Sequence, residues 1–156
     1  MSREKDLQFM RAARYVAMRS KCGSRQIGSV LVQDGSVVSE GYNGAPRGIS
    51  LCQYGECVRK GMGCQSGERL DLCPAVHSEQ NALLQAARNG ITTRGATMYT
   101  YCCRPCKACM GSIINAGVKR LVHLDEECYD EMSGMMLEES GIEVFTVTRA
   151  EVEATQ

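Results

Sequence analysis

The chain has 156 residues, 44% of them apolar, which is the length of one domain (1–156) with enough apolar surface for its own core. Its 18 Lys and Arg against 18 Asp and Glu leave no formal net charge, which speaks against a protein held to nucleic acid through a broad basic surface but leaves a nucleotide ligand open, since that needs only one or two local donors. The opening stretch MSREKDLQFMRAARYVAMRS has no apolar leader core and no later run is long enough to span a membrane, so a cytoplasmic, reducing setting is expected, in which ten cysteines point to metal or catalysis rather than disulfides.

Residues 3–20 are predicted to be a helix, with acidic residues in the first turn and Leu7, Met10, Ala13 and Ala17 as a narrow apolar stripe. The run IGSVLVQ (27–33), the pair Asp34-Gly35 and the run SVVSEGY read as a β-hairpin. Residues 43–73 show no steady period and carry four cysteines, as a long loop with a function or a tether would. A helix is predicted over 77–89, closed by Gly90, then a strand TMYTYC (97–102), a helix over 106–117, a strand KRLVHL, a helix YDEMSGMMLEES closed by Gly141, and a strand IEVFTV. The tail RAEVEATQ is expected to fray. A hairpin followed by alternating helices and strands predicts a mostly parallel sheet sandwiched by helices.

Chemistry concentrates at two of these helix starts. Cys106 and Cys109 in PCKAC lie three apart, so both thiols share one helix face, and a helix N-terminus favours the thiolate. His77, one of only two histidines, opens another helix. Three protein ligands with a fourth position left for water are what a catalytic zinc needs. Glu79, two residues after His77, is placed to take a proton from that water. Residues two apart in mid-helix point to different sides, so this works only if His77 lies in the first, irregular turn. The alternative is a closed Cys/His zinc site with Glu79 on the surface.

His-x-Glu followed by Pro-Cys-x-x-Cys resembles the pattern of the zinc nucleobase deaminases. Along nearly the whole chain, the stretches RSKCGSRQIGSVLVQDG, GYNGAPRG, SGERLDLCPAVHSEQNALLQAARNG, GATMY, PCKAC and IINAGVKRLV are similar, in order, to the deoxycytidylate (dCMP) deaminase family. The resemblance implies a three-layer α/β/α sandwich of the cytidine deaminase type. Its sheet would be five-stranded and mixed, with β1 and β2 an antiparallel hairpin and the remainder mostly parallel. It implies that His77, Cys106 and Cys109 bind zinc and that Glu79 shuttles protons to ring N3 and to the departing amine, converting dCMP to dUMP and ammonia. It further implies that Asn43 contacts the nucleotide, that Ser24 belongs to the neighbouring pocket, and that the protein is a homo-oligomer, dimer to hexamer.

Three positions depart from that family. Ser78 stands where alanine is usual, and its small size predicts little effect. Ser24 stands where many bacterial relatives carry arginine, which shifts phosphate binding to Arg25 or Arg47. The approach TMYTYCCRPC is one residue longer and puts Arg104 beside Pro105, where it can meet a phosphate; this bears on substrate choice. Some relatives carry a second, structural zinc, for which Cys22, Cys52, Cys57 and Cys73 are the candidates and Cys64 a fifth; free or buried thiols are the alternative. Cys102, Cys103 and His123 are read as packing in or beside strands. Met132, Met135 and Met136 are read as core or subunit interface. Deamination of another nucleotide or base (dCTP, cytidine, a purine) and a non-catalytic zinc-binding regulatory module remain the competing functions.

Overall fold

The computed structural model describes residues 1–53, 55–65 and 67–154. Helices α1 (Arg3–Ala17), α2 (Val58–Gly61), α3 (Ser78–Arg88), α4 (Lys107–Asn115), α5 (Glu131–Ser140) and α6 (Arg149–Glu153) accompany strands β1 (Gly28–Gln33), β2 (Ser36–Tyr42), β3 (Thr97–Thr100), β4 (Arg120–Leu124) and β5 (Glu143–Val147). The strands form one sheet in the order β2-β1-β3-β4-β5. β1 is antiparallel to both β2 and β3, whereas β3–β4 and β4–β5 are parallel. The hairpin turns through Asp34 and Gly35, both at positive φ (48° and 76°), the type I′ geometry that Asp-Gly favours.

Alternation along the buried strands builds the two cores. Val30, Val32, Tyr99, Tyr101, Val122 and Leu124 face α1 and α6 together with Met10, Ala13 and Val152. Leu31, Met98 and Leu121 face the other way, against Ala82 and Ala86 of α3 and Met110 and Ile113 of α4, with Met136 and Leu137 of α5 alongside. The result is the expected three-layer α/β/α sandwich. Two glycines let helices lie directly on the sheet. A Cβ on Gly28 would come within 2.2 Å of the Ala13 carbonyl oxygen, and one on Gly41 within 2.3 Å of the Ala82 nitrogen. Beneath α1, Arg120 donates to both oxygens of Asp6 (2.7 Å each) and Tyr99 adds a third bond to it (2.8 Å).

The structure departs from the sequence reading in four places. Helix α1 stops at Ala17, because the amides of Met18, Arg19 and Ser20 fold back onto carbonyls three residues earlier in a tightened last turn. β3 ends at Thr100, where the chain bends after Tyr101 pairs with the Gly28 carbonyl. The 43–73 loop holds α2 and a short 3-10 turn, Leu70–Leu72, each too short to show a period. The expected frayed tail contains α6, closed by a capping box between Thr148 and Glu151 and anchored by buried Val152 and an Arg3–Glu151 ion pair of 2.7 Å. Among the described residues, no helix is long and apolar enough to cross a membrane.

Candidate metal centre and active site

Two helices begin at one point, and each offers its N-cap side chain there. His77 has extended backbone (φ −71°, ψ 155°) and makes no side-chain cap bond; its carbonyl accepts from Asn81 (2.9 Å). Cys106 has the same geometry (φ −67°, ψ 168°) before α4. His77 therefore stands outside the helical repeat and Glu79 inside it, which meets the condition for the two to face one site. The approach to His77 is fixed by the Gly44–Val76 bridge and by the Asn81 amide, which donates to the Tyr42 carbonyl (2.7 Å).

The approach to Cys106 is held from α5. Asp130 accepts from the amides of Lys107 (2.7 Å) and Ser133 (2.9 Å), and these backbone bonds keep its carboxyl below the usual range. The Ser133 hydroxyl donates to the Pro105 carbonyl. Arg104 donates to the Asp130 carbonyl (3.0 Å) and the Ser133 hydroxyl (3.3 Å). These bonds clamp the first turn of α4 onto the first turn of α5.

His77, Cys106 and Cys109 bring their donor atoms within 4.8 Å of one another, forming the one such group among the described residues. His77 Nδ1 lies 3.4 Å from Cys106 Sγ and 3.3 Å from Cys109 Sγ. Zn–S and Zn–N bonds of about 2.3 and 2.0–2.1 Å at tetrahedral angles require an N···S edge of about 3.5 Å, so the triangle fits zinc. The charges fit as well. A bond from Cys109 draws the Cys106 thiol down to about 4 against the opposing effect of burial, with His77 assisting. Cys109 is pushed up by that same bond, by burial and by Glu79. The pair alone thus carries one negative charge readily, and a dication is the partner that ionises both. Cys109 is buried, Cys106 half-buried and His77 exposed, so the triangle opens toward His77.

Glu79 is 5% exposed. Its Oε2 lies 3.7 Å from Cys109 Sγ and accepts from the Ser78 hydroxyl at 3.1 Å. Burial pushes its carboxyl up, opposed by its own backbone N–H, His77 and Ser78. A carboxylate beside a metal and shielded from bulk water suits a proton carrier.

The other residues singled out in the sequence are placed less simply. Asn43 is buried and its amide is engaged by backbone: Oδ1 accepts from Ile27 and Nδ2 donates to the Arg25 carbonyl, both at 2.8 Å. It shapes the 25–27 segment. Ser24 and Arg25 are exposed, and Arg25 points toward Cys102 Sγ (3.6 Å). Arg47 bonds Gln85 (3.0 Å), and Arg104 is turned into α5. Cys22, Cys52, Cys57, Cys64 and Cys73 are half-buried free thiols and join no group of three metal donors among the described residues. Cys102 is buried beside half-buried Cys103, and His123 is buried with Nδ1 on the Leu124 carbonyl (2.8 Å). Met132 and Met135 are exposed on α5 and Met136 is half-buried against the core. Sequence reasoning missed Asp130 and Ser133. Their spacing is that of a helix N-cap and its third residue, a readable signal.

Residues 3–125 match the family described as the cytidine and deoxycytidylate deaminase zinc-binding region. The chain is 36% identical to the deoxycytidylate deaminase of Schizosaccharomyces pombe and 37% identical to that of Saccharomyces cerevisiae, in each case over 89% of its length, but it spans only 42% and 43% of those proteins. It is 33% identical to the deoxycytidylate deaminase of Enterobacteria phage T4, over 90% of this chain and 88% of that one. The crystal structure of dCMP deaminase from cyanophage S-TIM5 in complex with dCMP and dUMP superposes with a TM-score of 0.78 at 26% identity, covering 94% of this chain and 99% of that one.

Proposed function

The chain belongs to the cytidine and deoxycytidylate deaminase zinc-binding family, and from that premise we propose that it hydrolyses dCMP to dUMP and ammonia. The observation that carries this reading is the triangle of His77, Cys106 and Cys109 with Glu79 Oε2 3.7 Å from Cys109 Sγ, beside a relative of the same fold whose structure holds dCMP and dUMP.

His77 Nδ1 and the Cys106 and Cys109 sulfurs would hold one zinc. When bound, zinc supplies water that ionises near neutral pH. Glu79 takes the water's proton on a carboxylate oxygen and delivers it to N3 of the cytosine ring, which makes C4 more electrophilic. A C4–O bond forms and the C4–N bond breaks. Glu79 carries the second proton to the amine, which leaves as ammonia. Burial suits Glu79 to the first half of this exchange, because a carboxyl whose charged form is disfavoured by desolvation takes a proton from water more readily. The Asn43-held 25–27 segment and Arg25 supply the nucleotide side of the pocket. Exposed Met132 and Met135 on α5 support assembly into a homo-oligomer.

The test is ammonia release by the zinc-loaded protein from dCMP, CMP, dCTP, deoxycytidine, cytosine, dAMP and guanine. Turnover confined to dCMP is expected. Turnover of another member instead would keep the chemistry and move the specificity. No turnover of any, with zinc bound, would favour a non-catalytic zinc-binding module.

A further inference from the structure

Behind Glu79 runs a chain of buried hydroxyls that no sequence pattern announced. Ser78 Oγ donates to Glu79 Oε2 (3.1 Å), Ser29 Oγ lies 2.8 Å from Ser78 Oγ, and Thr100 Oγ1 lies 3.0 Å from Ser29 Oγ. Ser29 and Thr100 are cross-strand partners on β1 and β3, and all three residues are completely buried. Each hydroxyl has a single proton to donate. Ser78 gives its proton to the carboxylate, so Ser29 must donate to Ser78, and Thr100 must then donate to Ser29. Every dipole in the row points at Glu79, and linked donors of this kind strengthen one another in a dry interior.

We propose that Ser78, polarised by Ser29 and Thr100, is a positioning residue for Glu79. The Cys109 thiol reaches Glu79 Oε2 only at 3.7 Å, so Ser78, at 3.1 Å, is the nearer side-chain donor to that oxygen. It fixes the carboxylate plane and leaves the second oxygen to exchange protons. The proposal rests on reading Glu79 as the proton carrier. It runs against the expectation that serine at this position has little effect.

The experiment measures steady-state dCMP turnover, zinc content and urea unfolding for the zinc-loaded wild type, Ser78→Ala, Ser29→Ala and the double variant. Because a hydrogen bond to a charged group is worth about 1.5–3 kcal/mol, kcat for Ser78→Ala should fall about tenfold or more, with KM and zinc content held. Ser29→Ala should lower kcat about threefold alone and have no effect once Ser78 is gone, since its path to Glu79 is cut. In unfolding, a double-mutant cycle of Ser78→Ala with Glu79→Gln should show coupling of about tenfold in the unfolding constant. A merely structural serine would lower stability and leave kcat of the folded enzyme within about twofold; that result, or equal Ser29→Ala effects in both backgrounds, overturns the proposal. If the wild type fails to release ammonia from dCMP, the substrate reading falls. The unfolding cycle, which needs no substrate, then tests the Ser78–Glu79 bond itself: coupling sustains that premise, additivity overturns the inference, and kcat on whichever substrate is turned over decides the positioning role.

Discussion

Replacing Asp6 by asparagine keeps the shape of the side chain and removes its charge. Arg120, only 9% exposed, would then sit beneath α1 without a counter-ion. In the native protein it donates to both Asp6 oxygens at 2.7 Å while Tyr99 donates to one of them. Breaking a buried pair from one side costs about 3–5 kcal/mol. The Arg120 guanidinium also lies 4.1 Å from the Phe145 ring centroid, a contact that survives and offsets about 0.5–1 kcal/mol. The net loss expected is about 3 kcal/mol, or roughly 6–12 °C in Tm for a chain of this size. Urea unfolding at neutral pH measures it. Acid supplies the control. Burial works to raise the Asp6 carboxyl, but the bonds from Arg120 and Tyr99 outweigh it and hold the group below its ordinary value. A lowered folded pKa gives stability that is complete above the unfolded pKa, about 4, and is lost as pH falls through the folded value. The gap between wild type and variant should therefore begin to narrow below about pH 4 and close only once the pH has passed the lowered folded value. A loss under about 1 kcal/mol at neutral pH, or a gap that ignores acid, would refute the reasoning.

Glu79→Ala should keep zinc and fold while kcat drops by about 10²–10⁴-fold, checked by metal analysis, circular dichroism and ammonia release. Metal analysis of the wild type should return one zinc per chain, abolished in Cys106→Ser; a second retained equivalent, lost in Cys52→Ser, would establish the Cys22, Cys52, Cys57 and Cys73 site. Gly41→Ala drives a Cβ to 2.3 Å from the Ala82 nitrogen and 2.4 Å from the Ser78 carbonyl oxygen, so α3 must shift. A stability loss of about 1–3 kcal/mol should come with a lower kcat, because that segment carries Glu79.

The layers were legible because β-branched runs and closing glycines fix strands and helices locally. That His77, Cys106 and Cys109 would meet was legible because they sit at helix starts, where the sequence marks the boundary itself. What escaped notice depends on pairings between distant strands. Ser29 and Thr100 look like ordinary strand residues until β1 is laid antiparallel against β3, and only then do they line up behind Ser78. Asn43 and Arg104 were legible as polar residues near the site. Which groups they bond depends on where the 25–27 segment and α5 come to rest, and no local pattern sets that.

The clamp between α4 and α5 has a consequence for how substitutions will register across the chain. The backbone leading into Cys106 is tied to Asp130 and Ser133, which contribute no metal ligand. In a saturation scan scored by activity, positions 130 and 133 should therefore show the intolerance of ligand residues. An observer ranking sites by sensitivity alone would place the active site partly on a helix that supplies none of the three candidate ligands.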